Sequence, residues 1–178
     1  MKIGVISHTL QVASLNDLPP RAQLGLTDVD LVLHVGNVGR LSFLRELQDR
    51  FGLVFAIYGD QDSVDVNRFL DETKVVKFAN RKIGMTFGTQ AMEATSRLLR
   101  FKRQAPEPTP DVLSEQLLTH FDRLDCLVFG NPQKPFNYLH AGTLIFNPGS
   151  LTPQNTQSGT MGILDITDRA ITGRIIQL

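Results

Sequence analysis

Lys2-Ile3-Gly4-Val5-Ile6-Ser7-His8-Thr9 is an apolar run of strand length that breaks at its end into small and polar residues. The same event recurs downstream. Leu31–Val35 runs into His34-Val35-Gly36-Asn37, Leu53–Tyr58 into Tyr58-Gly59-Asp60-Gln61-Asp62, Cys126–Gly130 into Phe129-Gly130-Asn131-Pro132-Gln133-Lys134-Pro135, and Leu144–Asn147 into Asn147-Pro148-Gly149-Ser150. Short apolar runs bounded by turn residues are the pattern of strands covered on both faces. Gly36, Gly59, Gly88 and Gly130 keep their loops short, and Gly149 predicts a tight turn with positive φ. Further strands are expected at Val75–Phe78 and Lys82–Phe87, and two alternating runs, Thr160–Ile166 and Ala170–Ile176, close the chain. Leu44, Leu47 and Phe51 lie on one helical face, as do Leu113, Leu117 and Phe121. Thr109-Pro110 predicts the start of the second helix, a capping hydroxyl followed by proline at the first helical position. Strand–helix alternation followed by a run of strands predicts two sheets packed face to face with helices outside.

The chain has 178 residues, the size of one domain. Its 18 basic and 18 acidic residues cancel, so no global field favours nucleic acid or an anionic membrane surface. The single cysteine, Cys126, has no partner for an internal disulfide and sits in an apolar strand, where it reads as a buried small residue. No apolar run approaches a membrane span, and nothing at the start resembles a signal peptide, so a cytoplasmic location without membrane insertion is the expectation.

The ordered breaks resemble the calcineurin-like metallophosphoesterases. That family reads strand-Ser-Asp-Thr-His where this chain has Ser7-His8-Thr9-Leu10, Gly-Asp at Gly36-Asn37, and Gly-Asn-x-Asp at Gly59-Asp60-Gln61-Asp62. It reads Gly-His-Thr-His-x-Pro at Gly130-Asn131-Pro132-Gln133-Lys134-Pro135, while Asn147-Pro148-Gly149-Ser150 is unaltered. The resemblance covers nearly the whole chain and implies a four-layer α/β/β/α sandwich of two facing mixed sheets. Within the family the chain is similar to the small branch of bacterial phosphodiesterases and a retromer subunit.

Carried over position by position, the resemblance implies that each expected metal-ligand position has changed: His8 and Leu10 in the first loop, Asn37 in the second, Asp60 in the third, Phe87 before Gly88, and Asn131 and Gln133 in the last. A two-metal hydrolase needs anionic and imidazole ligands to offset two divalent charges and to hold a hydroxide between them. Asn37 is neutral where a bridging carboxylate is expected, and Leu10 and Phe87 offer no lone pair. His8 and Asp60 are the remaining candidate donors, enough for at most one weakly held divalent metal, and no cofactor is expected otherwise. A hydrogen bond between His8 and Asp60 that replaces the metal is one reading; single-metal binding and anion binding without hydrolysis are the others. His34 is expected as a satisfied buried histidine, His120 on the helix before Phe121, and His140 beside the cleft.

A non-catalytic binding or scaffold module is therefore the leading reading, with a protein partner or a phosphorylated small ligand; the retromer subunit is the precedent the resemblance supplies. The alternatives are a phosphodiesterase or phosphatase with a remodelled single-metal or metal-free site, and a sensor of a phosphorylated ligand using Arg40. The residual cleft is assigned to His8, Asn37, Asp60, Asn131, Gln133 and His140. One insertion, at about residues 91–110, carries Arg97, Arg100, Lys102 and Arg103 and then the connector Gln104-Ala105-Pro106-Glu107-Pro108-Thr109-Pro110. It reads either as a solvated helix with a semi-rigid linker or as a second partner-binding element.

Overall fold

The structure, a computed structural model, describes residues 1–78, 80–94, 109–152 and 158–178. In chain order it contains β1 (Lys2–Ile6), α1 (Pro20–Thr27), β2 (Leu31–Val35), α2 (Leu41–Phe51), β3 (Val54–Ile57), α3 (Val64–Phe69), β4 (Thr73–Phe78), β5 (Arg81–Thr86), α4 (Pro110–Leu118), β6 (Cys126–Phe129), β7 (Phe136–His140), β8 (Thr143–Asn147), β9 (Thr160–Ile166) and β10 (Ile171–Gln177). One sheet has the order β10-β9-β1-β2-β3 and the other β4-β5-β6-β8-β7. The first is parallel across β1, β2 and β3, with β9 antiparallel to β1. The second is parallel across β5, β6 and β8, with antiparallel edges β4 and β7.

Side-chain alternation along these strands builds four layers. Ile3 and Val5 of β1 and Leu31, Leu33 and Val35 of β2 point between the sheets, where they meet Ile83, Met85, Val128 and Phe146. Their neighbours Ile6 and Val32 point outward into a second cluster with Ala22 and Leu26 of α1 and Phe43 and Leu47 of α2. Leu127, Phe129 and Ile145 point outward from the other sheet against Leu113 and Leu117 of α4. The protein is thus an α/β/β/α sandwich of two mixed sheets. Cys126 is fully buried between the sheets, and burial pushes its thiol up, which removes it from thiolate chemistry.

Four elements differ from the sequence expectation. The edge strand β7 was not foreseen, because its burial alternates around polar side chains, Asn137, Tyr138 and His140. The short helices α1 and α3 carry no long apolar stripe; α3 is six residues begun by the Ser63 hydroxyl, which accepts from Val66 N–H. α4 starts at Pro110 as expected, but Thr109 makes no side-chain cap bond and the helix stops at Leu118. Phe121 therefore packs on the third cluster from the following turn, not from the helix.

The parallel strands fix where chemistry can sit. The carboxyl ends of β1, β2 and β3 open at one edge, and those of β5, β6 and β8 at one edge of the facing sheet; open α/β sheets bind ligands outside such ends. Two bonds show that these edges coincide: Ser7 Oγ–H donates to Gly149 O (2.6 Å) and Leu151 N–H to Ser7 O (3.0 Å), tying the loop after β1 to the loop after β8.

Candidate functional site

The loop after β1 turns at His8, whose φ is +58°, and the loop after β2 turns at Asn37, with φ +56°. Left-handed backbone is uncommon outside glycine and clusters where surrounding structure over-determines it. Here that structure is a pair of backbone bonds, His8 N–H to Gly36 O (3.1 Å) and Thr9 N–H to Asn37 O (2.8 Å). Asn131 joins from the other sheet, its N–H donating to Phe87 O (2.8 Å). Phe87 lies 5.6 Å from the His8 ring, centroid to centroid. His8, Asn37, Phe87 and Asn131 are therefore gathered at one end of the sandwich from widely separated parts of the chain. Gln133 is half-buried in the same loop as Asn131, and Asp60 is exposed on the loop after β3.

The hydrogen-bond network fixes the state of each polar group. Ser7 has one hydroxyl proton and gives it to Gly149 O, so the 2.8 Å contact with His8 must be Nδ1–H donating to Ser7 Oγ. Burial lowers the His8 pKa to about 4, against a smaller upward pull from Asp60 and Asp62. His8 is thus a neutral imidazole at neutral pH, with its Nε2 lone pair unengaged among the described residues. It does not hydrogen-bond Asp60, whose charge acts only as a pull on the His8 pKa. His34 repeats the logic on the helix side of β2. Thr9 Oγ1–H donates to Val38 O, so His34 Nε2–H donates to Thr9 Oγ1 at 2.8 Å. Complete burial, with His8 adding, lowers its pKa to about 3. His34 is buried as expected but only half satisfied, since its Nδ1 has no partner among the described residues.

Asn37 is fully buried, and its Oδ1 accepts from Gln61 N–H at 3.0 Å. The atom left over is Nδ2, which is buried without a partner among the described residues. An amide nitrogen carries hydrogens and offers no lone pair to a cation, so the amide presents the wrong end of its dipole at the position of a bridging carboxylate. Phe87 is 5% exposed. A Cβ added at Gly36, where φ is +92°, would stand 2.3 Å from its ring, and one at Gly130 would stand 2.8 Å from it, so the phenyl is seated against both glycines. These residues do not fit a dinuclear centre: the bridge position offers a buried amide N–H donor in place of a carboxylate oxygen, and a position expected to carry imidazole carries hydrocarbon. Among the described residues no three His, Cys, Asp or Glu side chains converge.

Sequence reasoning passed over Asp62. Its carboxylate accepts from Gly39 N–H (2.7 Å) and Gly59 N–H (2.8 Å), clamping the loops after β2 and β3 together. Asp62→Asn would turn one of these oxygens into an N–H group facing an N–H group. The expected loss is about 2–3 kcal/mol, read as a lower urea midpoint with unchanged slope; an unchanged midpoint would remove the clamp from the account.

His140 is not at this end. It closes β7 opposite Thr143, at the start of β8, whereas Asn147 at the cleft end of β8 pairs with Phe136. Its Nδ1 contacts Asp111 Oδ1 at 2.9 Å, and Tyr138 O–H donates to the same oxygen at 3.0 Å. The His140 bond, then the Tyr138 bond, hold the Asp111 carboxyl below its usual range. This cluster docks the first turn of α4 against β7. His120 lies beyond the helix end and lines a cleft of about 460 Å³ that opens between Asp60, Phe87 and α4. Arg97, Arg100, Lys102 and Arg103 lie outside the described residues. No helix among the described residues is long and apolar enough to cross a membrane.

Strand-end loops facing across a two-sheet sandwich are the frame of a phosphoesterase, and residues 1–169 match the calcineurin-like phosphoesterase superfamily domain. The chain belongs to that family. A probable metallophosphoesterase of Methanocaldococcus jannaschii is 27% identical over 169 residues, covering 95% of this chain and 78% of its own length. Vps29 of Chaetomium thermophilum superposes with a TM-score of 0.73 at 20% identity, over 100% of this chain and 89% of its own. An archaeal phosphodiesterase superposes at 0.65 with 22% identity, over 100% of both chains. At these identities the two structures establish the fold.

Proposed function

We propose that this chain is a binding module that keeps the phosphoesterase frame without two-metal hydrolysis, and that its strand-end cleft takes a partner. The observation that carries this reading is Asn37. With Oδ1 held by Gln61 N–H, only Nδ2 is left at the position where a carboxylate would bridge two cations. The Phe87 ring against Gly36 and Gly130 supports it, because hydrocarbon occupies a second ligand position. The retromer-subunit precedent implied by the sequence points the same way.

A second reading rests on His8. Its free Nε2 lone pair near Asp60 is a starting point for one weakly held metal and a remodelled phosphodiesterase. One assay separates the two. Protein stripped of metal and then supplied with Mn²⁺ or Zn²⁺ is expected to hydrolyse a chromogenic phosphodiester no faster than buffer. Turnover that disappears in His8→Ala would establish the enzyme instead.

A further inference from the structure

The cleft beside Phe87 differs in charge from what a phosphoester requires. Its walls include the rings of Tyr58 and Phe87 and the side chain of Leu117, and its acidic groups are Asp60 and Glu72. No lysine or arginine is among the described residues lining it, and Arg40 is not one of them. Neither carboxylate is paired with a basic side chain among the described residues. Among the described residues Glu72 has two neutral partners, Gln90 Nε2 at 3.4 Å and the Tyr58 hydroxyl. Burial, followed by the Glu72 charge and bond, raises the Tyr58 phenol, so that group stays neutral. The volume is within the range of small-molecule pockets. A helical stretch over residues 89–94 begins at the cleft, but a helix end carries about half a positive charge against two full negative ones.

From the cleft geometry we infer that it is a site for an organic cation on an apolar stem, an ammonium or guanidinium group, and not for a phosphorylated ligand. The cation sits between Asp60 and Glu72, beside the half-buried aromatic ring of Tyr58. Its stem lies along Leu117. A lysine or arginine side chain of a protein partner has this chemistry, and so does a free alkylamine. This inference deepens the binding-module reading by naming what the cleft recognises.

The test follows the backbone amide signals of Gly59, Gly88 and Thr89 in the full-length ¹⁵N-labelled chain. At constant ionic strength, n-butylammonium, a capped Gly-Lys-Gly peptide, n-butanol and phenyl phosphate are titrated in turn. Saturable shifts are expected with at least one cation, with affinity falling about tenfold or more in the Asp60→Asn/Glu72→Gln double variant. Both substituted side chains are exposed, so amide dispersion should be unchanged. Tighter binding of the peptide assigns the cation to a protein side chain, and tighter binding of the amine to a small molecule; either supports the inference. Saturation by phenyl phosphate alone, equal affinity for n-butanol, or unchanged affinity in the double variant would overturn it. Phosphodiester turnover would retire the non-catalytic reading without altering this result, so the two failures are distinguishable.

Discussion

Lowering the pH from 7 to 4.5 is expected to remove roughly 5 kcal/mol of folding stability through His8 and His34. Both have folded pKa values, about 4 and about 3, below the ordinary histidine value of 6.5. Below pH 6.5 the unfolded chain therefore binds more protons than the native one, and stability falls as pH falls toward the folded values. Above pH 6.5 both rings are neutral in both states and the contribution is complete. The slope is about 1.4 kcal/mol per pH unit for each histidine. Because domains of this size are stable by only about 5–15 kcal/mol, urea midpoints should collapse across this window. His34→Gln keeps a donor for Thr9 and should roughly halve the slope. A flat profile from pH 7 to 4.5 would mean that the two rings are not held neutral.

Gly130→Ala is expected to be the most damaging small substitution at the site, costing at least about 3 kcal/mol. A Cβ there would lie 2.0 Å from Val35 O and 2.8 Å from the Phe87 ring. The first obstacle is backbone at the carboxyl end of β2 in the other sheet, which has no rotamer to change. Relief requires the loop after β6 to move away from β2, and that movement opens the contact on which the Phe87 ring sits. Gly52→Ala is the control. Gly52 also has a positive φ, +79°, but nothing lies within 4 Å of its added Cβ, so strain alone should cost about 1 kcal/mol. Thermal unfolding of the two variants should rank them clearly. Gly130→Ala within about 1 kcal/mol of the parent would mean that the sheets do not approach as described.

What the sequence made legible follows from which residues carry redundant signals. β1, β2 and β9 fall where their apolar runs predict, because burial on both faces leaves little room for polar letters. The glycine frame located the site end, since each glycine is demanded by a turn or a close approach. β7 was hidden because an edge strand half open to water alternates, and its polar residues read as loop. His140 was misplaced for the same reason: with β7 unseen, nothing showed that the chain runs away from the cleft between Phe136 and His140. The His8 partner was also illegible. Charge complementarity pointed to Asp60, but the left-handed turn at His8 brings Nδ1 onto the adjacent Ser7 hydroxyl, already oriented by donating its proton to Gly149 O. Asp62 was passed over because its partners are backbone amides, which have no letter in a sequence.

The most direct measurement of the central claim is anomalous diffraction from crystals soaked separately in Mn²⁺ and Zn²⁺. Two-metal hydrolases hold their ions about 3.5–4 Å apart. With Asn37 presenting Nδ2 and the Phe87 ring seated against Gly36 and Gly130, no such pair of peaks is expected among His8, Asn37, Phe87 and Asn131. At most a single weak peak is expected, beside His8 Nε2. Two strong peaks at that spacing, bridged through residue 37, would contradict the account.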